Sequence, residues 1–249
     1  MPSNSHPPTS KKPHVARRRF GQHFLHDPRV LEKIVDALDL QPSDFVVEIG
    51  PGEGALTNLL VDRVEKLEVI EIDRDLAAGL IERKIKVHQG DALEFDYSVF
   101  PPGARIVGNL PYNISTPLLF YLARYAERVR DMHFMLQLEV VERMVARHST
   151  PEYGRLSVAL QARFKMKKLF NVSKGAFRPP PKVESAVVRL EPLPQILKID
   201  EDLLRKAFSA RRKTLRNALP GIDFAALGID PGLRPENLSP EDYLRLSAK

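Results

Sequence analysis

The sequence predicts an α/β fold in which a mostly parallel sheet carries helices on both faces and is followed by a small helical domain. Short apolar runs alternate with segments of helical spacing from about residue 45 to residue 146. Glycine and proline turns separate these segments. After about residue 200 only helical spacing remains.

The elements are expected in a regular order. A capping signal at Asp27-Pro28 begins a first helix, whose apolar spacing continues to residue 38. Strands are predicted at residues 45–49, 67–72, 85–88, 105–108, 132–138 and 185–190. The intervening helices are predicted at residues 56–64, 76–81, 117–125 and 140–146. Because strands and helices alternate, the sheet should form the middle of three layers.

The chain divides into three predicted parts. Residues 1–16 are a basic arm with several Ser and Pro, which favours disorder over an amphipathic transit peptide. Residues 17–194 form the α/β catalytic domain, which ends near two prolines. Residues 195–249 form a helical domain whose first helix contains Leu203, Leu204, Ala207 and Phe208.

Composition excludes several classes of protein. Lys and Arg number 38 against 32 Asp and Glu, which gives a net charge of +6 and a pI near 9.5. This balance favours a polyanionic partner, although an ordinary basic protein can show it too. The lack of cysteine excludes disulfides, thiolate metal sites and cysteine nucleophiles, and it favours the cytoplasm. No apolar run reaches membrane-spanning length, so no membrane association is expected.

A glycine-rich turn follows the first predicted strand of the alternating pattern. Gly50, Gly52 and Gly54 let the backbone approach a ligand beside the N-terminus of the next helix. Glu71 ends the next strand, where an acid can hold ribose hydroxyls. These features fit either a nicotinamide dinucleotide or S-adenosylmethionine.

Two further acids favour S-adenosylmethionine. Glu48 lies just before the turn, and Asp91 follows the third strand, where it could accept a hydrogen bond from an adenine amino group. Each has a structural alternative, since Glu48 could stay within the loop and Asp91 could cap a helix or turn. The predicted fold is therefore that of a Rossmann-like methyltransferase that uses S-adenosylmethionine, with no metal.

Four residues directly after the fourth strand, Asn109 to Tyr112, are predicted to be catalytic. They lie at the carboxyl edge, where open α/β sheets hold ligands. An exocyclic adenine amine is a weak nucleophile, and Asn109 Oδ1 with the Leu110 carbonyl could draw its lone pair out of the ring plane. Pro111 fixes the turn, while Tyr112 offers a ring face to the cationic nitrogen. The alternative is a turn with a packing tyrosine.

Five segments resemble the ribosomal RNA adenine dimethyltransferase family, in the family's order and spacing. They are FGQHFL (20–25), EIGPGEG (48–54), NLPYNIS (109–115), YGRLS (153–157) and FRPPPKV (177–183), within roughly residues 17–217. The resemblance to the bacterial small-subunit type implies N6,N6-dimethylation of two adjacent adenosines in the 3′-terminal hairpin loop of 16S ribosomal RNA. It also implies a pre-ribosomal substrate and a role in small-subunit biogenesis. A monomeric state is expected.

The resemblance also implies roles for individual residues. Together with Gly52 of the glycine turn, the cofactor contacts are expected to be His23, Leu25, Gly50, Glu71, Asp91 and Asn109. Position 23 is often Asn in the family, so a backbone contact is expected there. A metal site at His23 and His26 is not expected, because no further ligands accompany them. Phe177 is expected to face the target base opposite Tyr112, with a core position as the alternative.

Two basic runs are candidate RNA-binding surfaces. Residues 163–182 contain seven Lys or Arg and no acid, and residues 205–216 contain six and no acid. Arg211, Arg212 and Lys213 of the second run are predicted to bind RNA from a helix of the C-terminal domain. Solvated faces without a partner are the alternative.

Other functions remain possible at this point. The related large-subunit methyltransferases that confer macrolide resistance share the glycine loop and a similar reactive turn. Non-enzymatic transcription or assembly factors of the same fold are a second alternative, which intact Asn109, Tyr112, Glu71 and Asp91 disfavour. A nicotinamide-dependent oxidoreductase is a third, although no hydride-transfer site is recognisable.

Overall fold

The computed structural model describes residues 23–248. The predicted basic arm and the first three residues of the FGQHFL segment lie outside this range. Among the described residues, no helix has the length and apolar character needed to cross a membrane. The same part of the chain holds no cluster of three or more His, Asp or Glu able to bind a metal ion.

The strands and helices follow the predicted order, with additions. The strands are β1 (Phe24–Leu25), β2 (Phe45–Ile49), β3 (Lys66–Glu71), β4 (Lys86–Gln89), β5 (Ala104–Asn109), β6 (Val129–Gln137), β7 (Phe164–Val172), β8 (Phe177–Arg178) and β9 (Ser185–Pro192). The helices are α1 (Pro28–Leu38), α2 (Ala55–Leu60), α3 (Arg74–Glu82), α4 (Ser115–Leu122), α5 (Leu138–Val145), α6 (Arg155–Gln161), α7 (Glu201–Ser209), α8 (Leu215–Ala218) and α9 (Pro240–Ser247).

Within residues 23–248, seven strands form one sheet in the order β4-β3-β2-β5-β6-β9-β7. The first five are parallel, while β9 runs antiparallel to its neighbours β6 and β7. The mostly parallel α/β fold is therefore confirmed. The chain leaves β2 for β3 and β4 and then returns to β5 beside β2, so the strand order reverses between β2 and β5. Open sheets of this kind bind ligands at such a reversal.

Side chains of consecutive strand residues enter opposite layers, as the pleat requires. Val47 and Ile106 join one apolar cluster with α4, α5 and α6. Val46 and Val107 join a second cluster with α1 and α2 on the other face. The sheet is thus buried on both faces, and the ends of its strands remain available for a site.

The C-terminal helices surround a third apolar cluster. Tyr153 and Val158 of the α6 region contribute to it together with residues of α7, α8 and α9. The Tyr153 hydroxyl also donates to the Leu238 carbonyl at 3.0 Å. The C-terminal part therefore packs against α6. The domain boundary at residue 195 stays a prediction.

Candidate active site

The glycine turn takes the form that its sequence predicts. Gly50, Gly52 and Gly54 have φ values of 65°, 58° and 82°, which L side chains adopt rarely. A Cβ atom at Gly52 would lie 2.9 Å from the Phe24 ring. The turn therefore requires glycine for its conformation and, at Gly52, for the close approach of β1.

Glu71, the last residue of β3, connects the glycine turn to the neighbouring loop. Its Oε2 accepts from the Gly52 N–H at 3.2 Å, and its Oε1 accepts from the Asp73 N–H at 2.9 Å. Burial raises the pKa of the Glu71 carboxyl, although the Asp73 and Gly52 amides partly offset this effect. Two amides therefore fix the carboxylate before a ligand arrives.

Asp91 follows β4 and takes the turn role that was its structural alternative. Its Oδ1 accepts from the Leu93 N–H at 2.9 Å. The neighbouring Ala92 carbonyl accepts from the Tyr97 hydroxyl at 3.0 Å. This turn lines a cavity, so the turn role and a ligand contact are compatible.

One cavity brings most of the predicted site residues together. It has a volume of about 840 Å³, including its open mouth. Its lining includes eight of the predicted residues, namely His23, Gly50, Glu71, Asp91, Asn109, Leu110, Pro111 and Tyr112. Leu25 is not part of this lining and instead lines a smaller cavity beside it. Gly52 contributes through its hydrogen bond to Glu71.

The reactive turn is anchored at its first two residues. Asn109 ends β5 opposite Met135, and its Nδ2 donates to the His23 carbonyl at 2.9 Å. The Leu110 side chain is buried, and its N–H donates to the Met135 carbonyl at 3.2 Å. Because Asn109 uses its nitrogen to bind His23, its oxygen remains available as an acceptor at the cavity.

Tyr112 lines the same cavity as the two acids. Its hydroxyl is 2.6 Å from Ser185 Oγ, and Ser185 is fully buried at the start of β9. Burial raises the pKa of Tyr112, so the phenol stays neutral at physiological pH. No motif of the sequence indicated Ser185, although a serine at the start of an otherwise apolar strand is a signal of a buried polar contact.

The smaller cavity shares Phe24, Gly50 and Asn109 with the first and has a volume of about 560 Å³. Glu48 of β2 and His133 of β6 line it from the two strands that flank β5. Glu48 Oε2 accepts from the Thr57 hydroxyl at 2.6 Å, which supports a structural role for this acid. Burial lowers the pKa of His133 to about 4, so its imidazole is neutral. Nothing in the sequence pattern indicated His133.

Residues 13–248 match the sequence model of the family described as ribosomal RNA adenine dimethylase. The chain belongs to the ribosomal RNA adenine dimethylase family. It is therefore an S-adenosylmethionine-dependent methyltransferase that acts on ribosomal RNA.

Individual proteins agree with this assignment. The chain is 57% identical over 248 residues to ribosomal RNA small subunit methyltransferase A of Aromatoleum aromaticum, which covers 94% of each protein. It is similar to the crystal structure of a dimethyladenosine transferase from Plasmodium falciparum, with a TM-score of 0.79, 29% identity, and coverage of 90% of this chain and 96% of the other. It is also similar to the 23S rRNA methyltransferase ErmE, with a TM-score of 0.69, 27% identity, and coverage of 90% and 97%.

The cavity of this dimethylase family member fits its cofactor. S-adenosylmethionine has an adenine amino group and ribose hydroxyls, which need acceptors, and a cationic sulfonium, which disfavours nearby positive charge. Asp91 and Glu71 supply carboxylates to the lining of the cavity, and neutral Asn109 and Tyr112 line it as well. These acceptors and the neutral side chains therefore match the chemistry of the cofactor.

Phe177 occupies the position that was its alternative. Its side chain is 2% exposed and packs with the α1 and α2 cluster. It pairs with Leu25 across the two-stranded β1–β8 ribbon and is not part of the cavity lining. The structure thus corrects the expected place of Phe177, because a buried ring has no face available to a base.

The predicted RNA-binding residues line neither of the two cavities. Arg211, Arg212 and Lys213 occupy the turn between α7 and α8, so their predicted helical position is wrong. The Arg211 guanidinium donates to Glu236 at 2.8 Å and to the Pro151 carbonyl at 2.7 Å. Arg212 and Lys213 are exposed. Arg211 therefore has a structural role that the other two residues do not share.

Proposed function

We propose that this protein converts two adjacent adenosines in the 3′-terminal hairpin loop of small-subunit ribosomal RNA to N6,N6-dimethyladenosine. The observation that carries the proposal is the single cavity shared by the Asn109–Tyr112 turn and the acids Glu71 and Asp91. The relative from Aromatoleum aromaticum, which is named as a small subunit methyltransferase, supports the choice of subunit.

The residues at the cavity have separate roles in this proposal. Glu71 holds the ribose hydroxyls, and Asp91 accepts from the adenine amine of the cofactor. The His23 backbone, Leu25 and the glycine turn contact the rest of the cofactor. An electrophilic methyl group is what S-adenosylmethionine supplies when it is bound.

Asn109 and Leu110 prepare the target nitrogen. The Asn109 oxygen and the Leu110 carbonyl accept the two N–H groups of the amine, which favours a tetrahedral nitrogen with its lone pair outside the ring. Tyr112 presents its ring to the flipped base and stabilises the nitrogen as it becomes cationic. The proton then leaves to water, so the turn needs no strong base. A second methylation needs an acceptor for only one N–H.

The RNA is proposed to lie between two basic surfaces. One consists of exposed residues on β7 and the segment that follows it, which are Lys165, Lys167, Lys168, Lys174, Arg178 and Lys182. The other is the α7–α8 turn with Arg212 and Lys213. These charges would neutralise phosphates, while RNA shape supplies specificity.

The cellular setting is part of the proposal. Residues of one chain line the candidate site in the described range 23–248, which supports action as a monomer. We place the enzyme in the cytoplasm on a pre-ribosomal particle, with a role in small-subunit biogenesis. Methylation of the large subunit is the second candidate, since the chain also resembles ErmE in fold.

Nucleoside analysis tests the proposed reaction. Purified protein is incubated with labelled S-adenosylmethionine and either undermethylated small subunits or large subunits. We expect N6,N6-dimethyladenosine at two adjacent positions of the small-subunit RNA, and loss of turnover in Asn109→Ala with RNA binding largely retained. Monomethyladenosine alone at completion, or modification of the large subunit only, would refute the proposal. The exposed Asn217→Ala variant is a matched control.

A further inference from the structure

The orientation of the Asn109 amide depends on a backbone carbonyl far away in sequence. Nδ2 donates to the His23 carbonyl at 2.9 Å, across 86 residues of chain. If the amide were turned over, its oxygen would face the carbonyl oxygen, and the two acceptors would repel each other. The His23 carbonyl therefore selects the end of the amide that faces the cavity. Only the oxygen end can accept an N–H from an adenine amine.

The His23 side chain connects this residue to the backbone after β8. Nδ1 lies 2.8 Å from the Pro179 carbonyl, and because a carbonyl only accepts, Nδ1 carries the proton. The imidazole also contacts the Tyr112 ring, with 5.3 Å between ring centroids and 31° between planes. One side chain thus links the backbone after β8, the reactive turn and the start of β1.

The β1–β8 ribbon supports this link. Phe24 pairs with Arg178 and Leu25 pairs with Phe177. The His26 N–H donates to the Ala176 carbonyl at 2.9 Å. The backbone that follows His23 and the backbone that precedes Pro179 are therefore held together by main-chain hydrogen bonds, and the contact between the imidazole and the Pro179 carbonyl extends this pairing to His23.

We infer that His23 is a positioning residue for methyl transfer, whose imidazole, bound to the Pro179 carbonyl, holds the backbone carbonyl that orients the Asn109 amide. This inference rests on the proposed function of Asn109. It assigns the His23 side chain an effect on turnover that is separate from cofactor binding. The effect should be largest in the second methylation, in which a single N–H remains to be aligned.

Two substitutions distinguish the effect of the His23 hydrogen-bond donor from the effect of the side chain's volume. His23→Leu keeps a similar volume but removes the donor. His23→Asn places an amide nitrogen at the same number of bonds from the backbone as Nδ1. His26→Ala is the control, since its exposed side chain lies on the same segment. Each full-length variant is assayed for turnover and for the ratio of monomethyl to dimethyl product on undermethylated small subunits. Its affinity for S-adenosylhomocysteine is measured by calorimetry, with Glu71→Ala as the positive control for lost affinity.

We expect His23→Leu to lower kcat about ten- to a hundredfold and to accumulate monomethyladenosine, because small misplacements at a reacting centre are costly. Its S-adenosylhomocysteine affinity should stay within about threefold of wild type, and His23→Asn should recover most of the turnover. Wild-type kcat and product ratio in His23→Leu, an equally impaired His23→Asn, or a parallel loss of cofactor affinity would each overturn the inference. A wild-type protein that forms no dimethyladenosine would instead overturn the proposed function.

Discussion

Individual polar side chains at the cavity are oriented by hydrogen bonds before any ligand binds. Glu71 is held by two backbone amides, Asn109 by the His23 carbonyl and Tyr112 by Ser185. Preorganised groups need little rearrangement during the reaction, which is the main way an enzyme lowers a barrier electrostatically. The partners of the site residues should therefore matter almost as much as the residues themselves.

Glu48 is a buried acid whose ionisation should lower the stability of the folded protein. Burial raises the pKa of Glu48 to about 7, an effect that the Thr57 hydroxyl partly offsets. In the unfolded chain the pKa is near 4.5. The folded state thus favours the protonated acid, and stability should fall as pH rises from about 4.5 to about 7. A shift of this size corresponds to roughly 3 kcal/mol.

Glu48→Gln should remove this pH dependence, because the amide is neutral and its oxygen can still accept from Thr57. Denaturant unfolding at pH 5 and pH 8 should show the variant gaining on wild type by on the order of 2–3 kcal/mol at the higher pH. The exposed Glu65→Gln variant is the control and should follow wild type at both values. If the free energy of unfolding changed equally for Glu48→Gln and wild type between pH 5 and pH 8, ionisation of Glu48 would not destabilise the folded state.

Among the elements, the β1–β8 ribbon is the smallest and has a large effect on the site. Each of its strands has two residues, yet it places His23 beside Asn109 and buries Phe177. Phe177 contacts the cluster formed by α1 and α2. The structure therefore gives this ring a packing role, while stacking against the base stays a prediction for Tyr112.

Substitution of Phe177 separates the two roles. Phe177→Leu should keep kcat within about threefold of wild type at a cost of about 1 kcal/mol in stability, because an apolar side chain of similar size refills the site. Phe177→Ala should cost about 3–5 kcal/mol by leaving a cavity. Turnover assays and denaturant unfolding measure the two effects. A stable Phe177→Leu protein with turnover reduced a hundredfold would instead support stacking of Phe177 against the target base.

Periodicity predicted the buried parallel strands well, because they are short apolar runs between turns. It missed β7, in which lysines alternate with partly buried residues along the last strand of the sheet. Exposed lysines are common on such edges, where they discourage pairing with another chain. The strand was therefore interpreted only as a basic run, and α6 next to it was not recognised either.

In the whole molecule, topology explains why strand ends were sufficient to locate the site. Glycines after β2 and Asn109 after β5 meet where the strand order reverses, so local sequence signals converge on one cavity. Contacts between distant segments were not predictable in this way. Tyr112 and Ser185 are 73 residues apart, and no spacing rule connects them.

The arrangement of charge over the whole molecule is the basis of the last prediction. Arg211 holds the α7–α8 turn against Glu236 and Pro151, so reversing its charge would disturb the C-terminal helices as well as any RNA contact. Arg212 and Lys213 are exposed and can be changed without this complication. Arg63→Glu with Lys66→Glu makes the same change in net charge at exposed positions near the start of β3, opposite the carboxyl edge of the sheet.

Arg212→Glu with Lys213→Glu should weaken binding to the small subunit about tenfold at moderate salt and leave affinity for S-adenosylhomocysteine unchanged. Each lost phosphate contact removes about 0.7–0.9 from the slope of log affinity against log salt, so two lost contacts should flatten it by about 1.5. The Arg63 and Lys66 pair should keep the wild-type slope, because RNA would not reach that edge. If both pairs changed binding equally, the effect would come from net charge alone, and the α7–α8 turn would not be an RNA-docking surface.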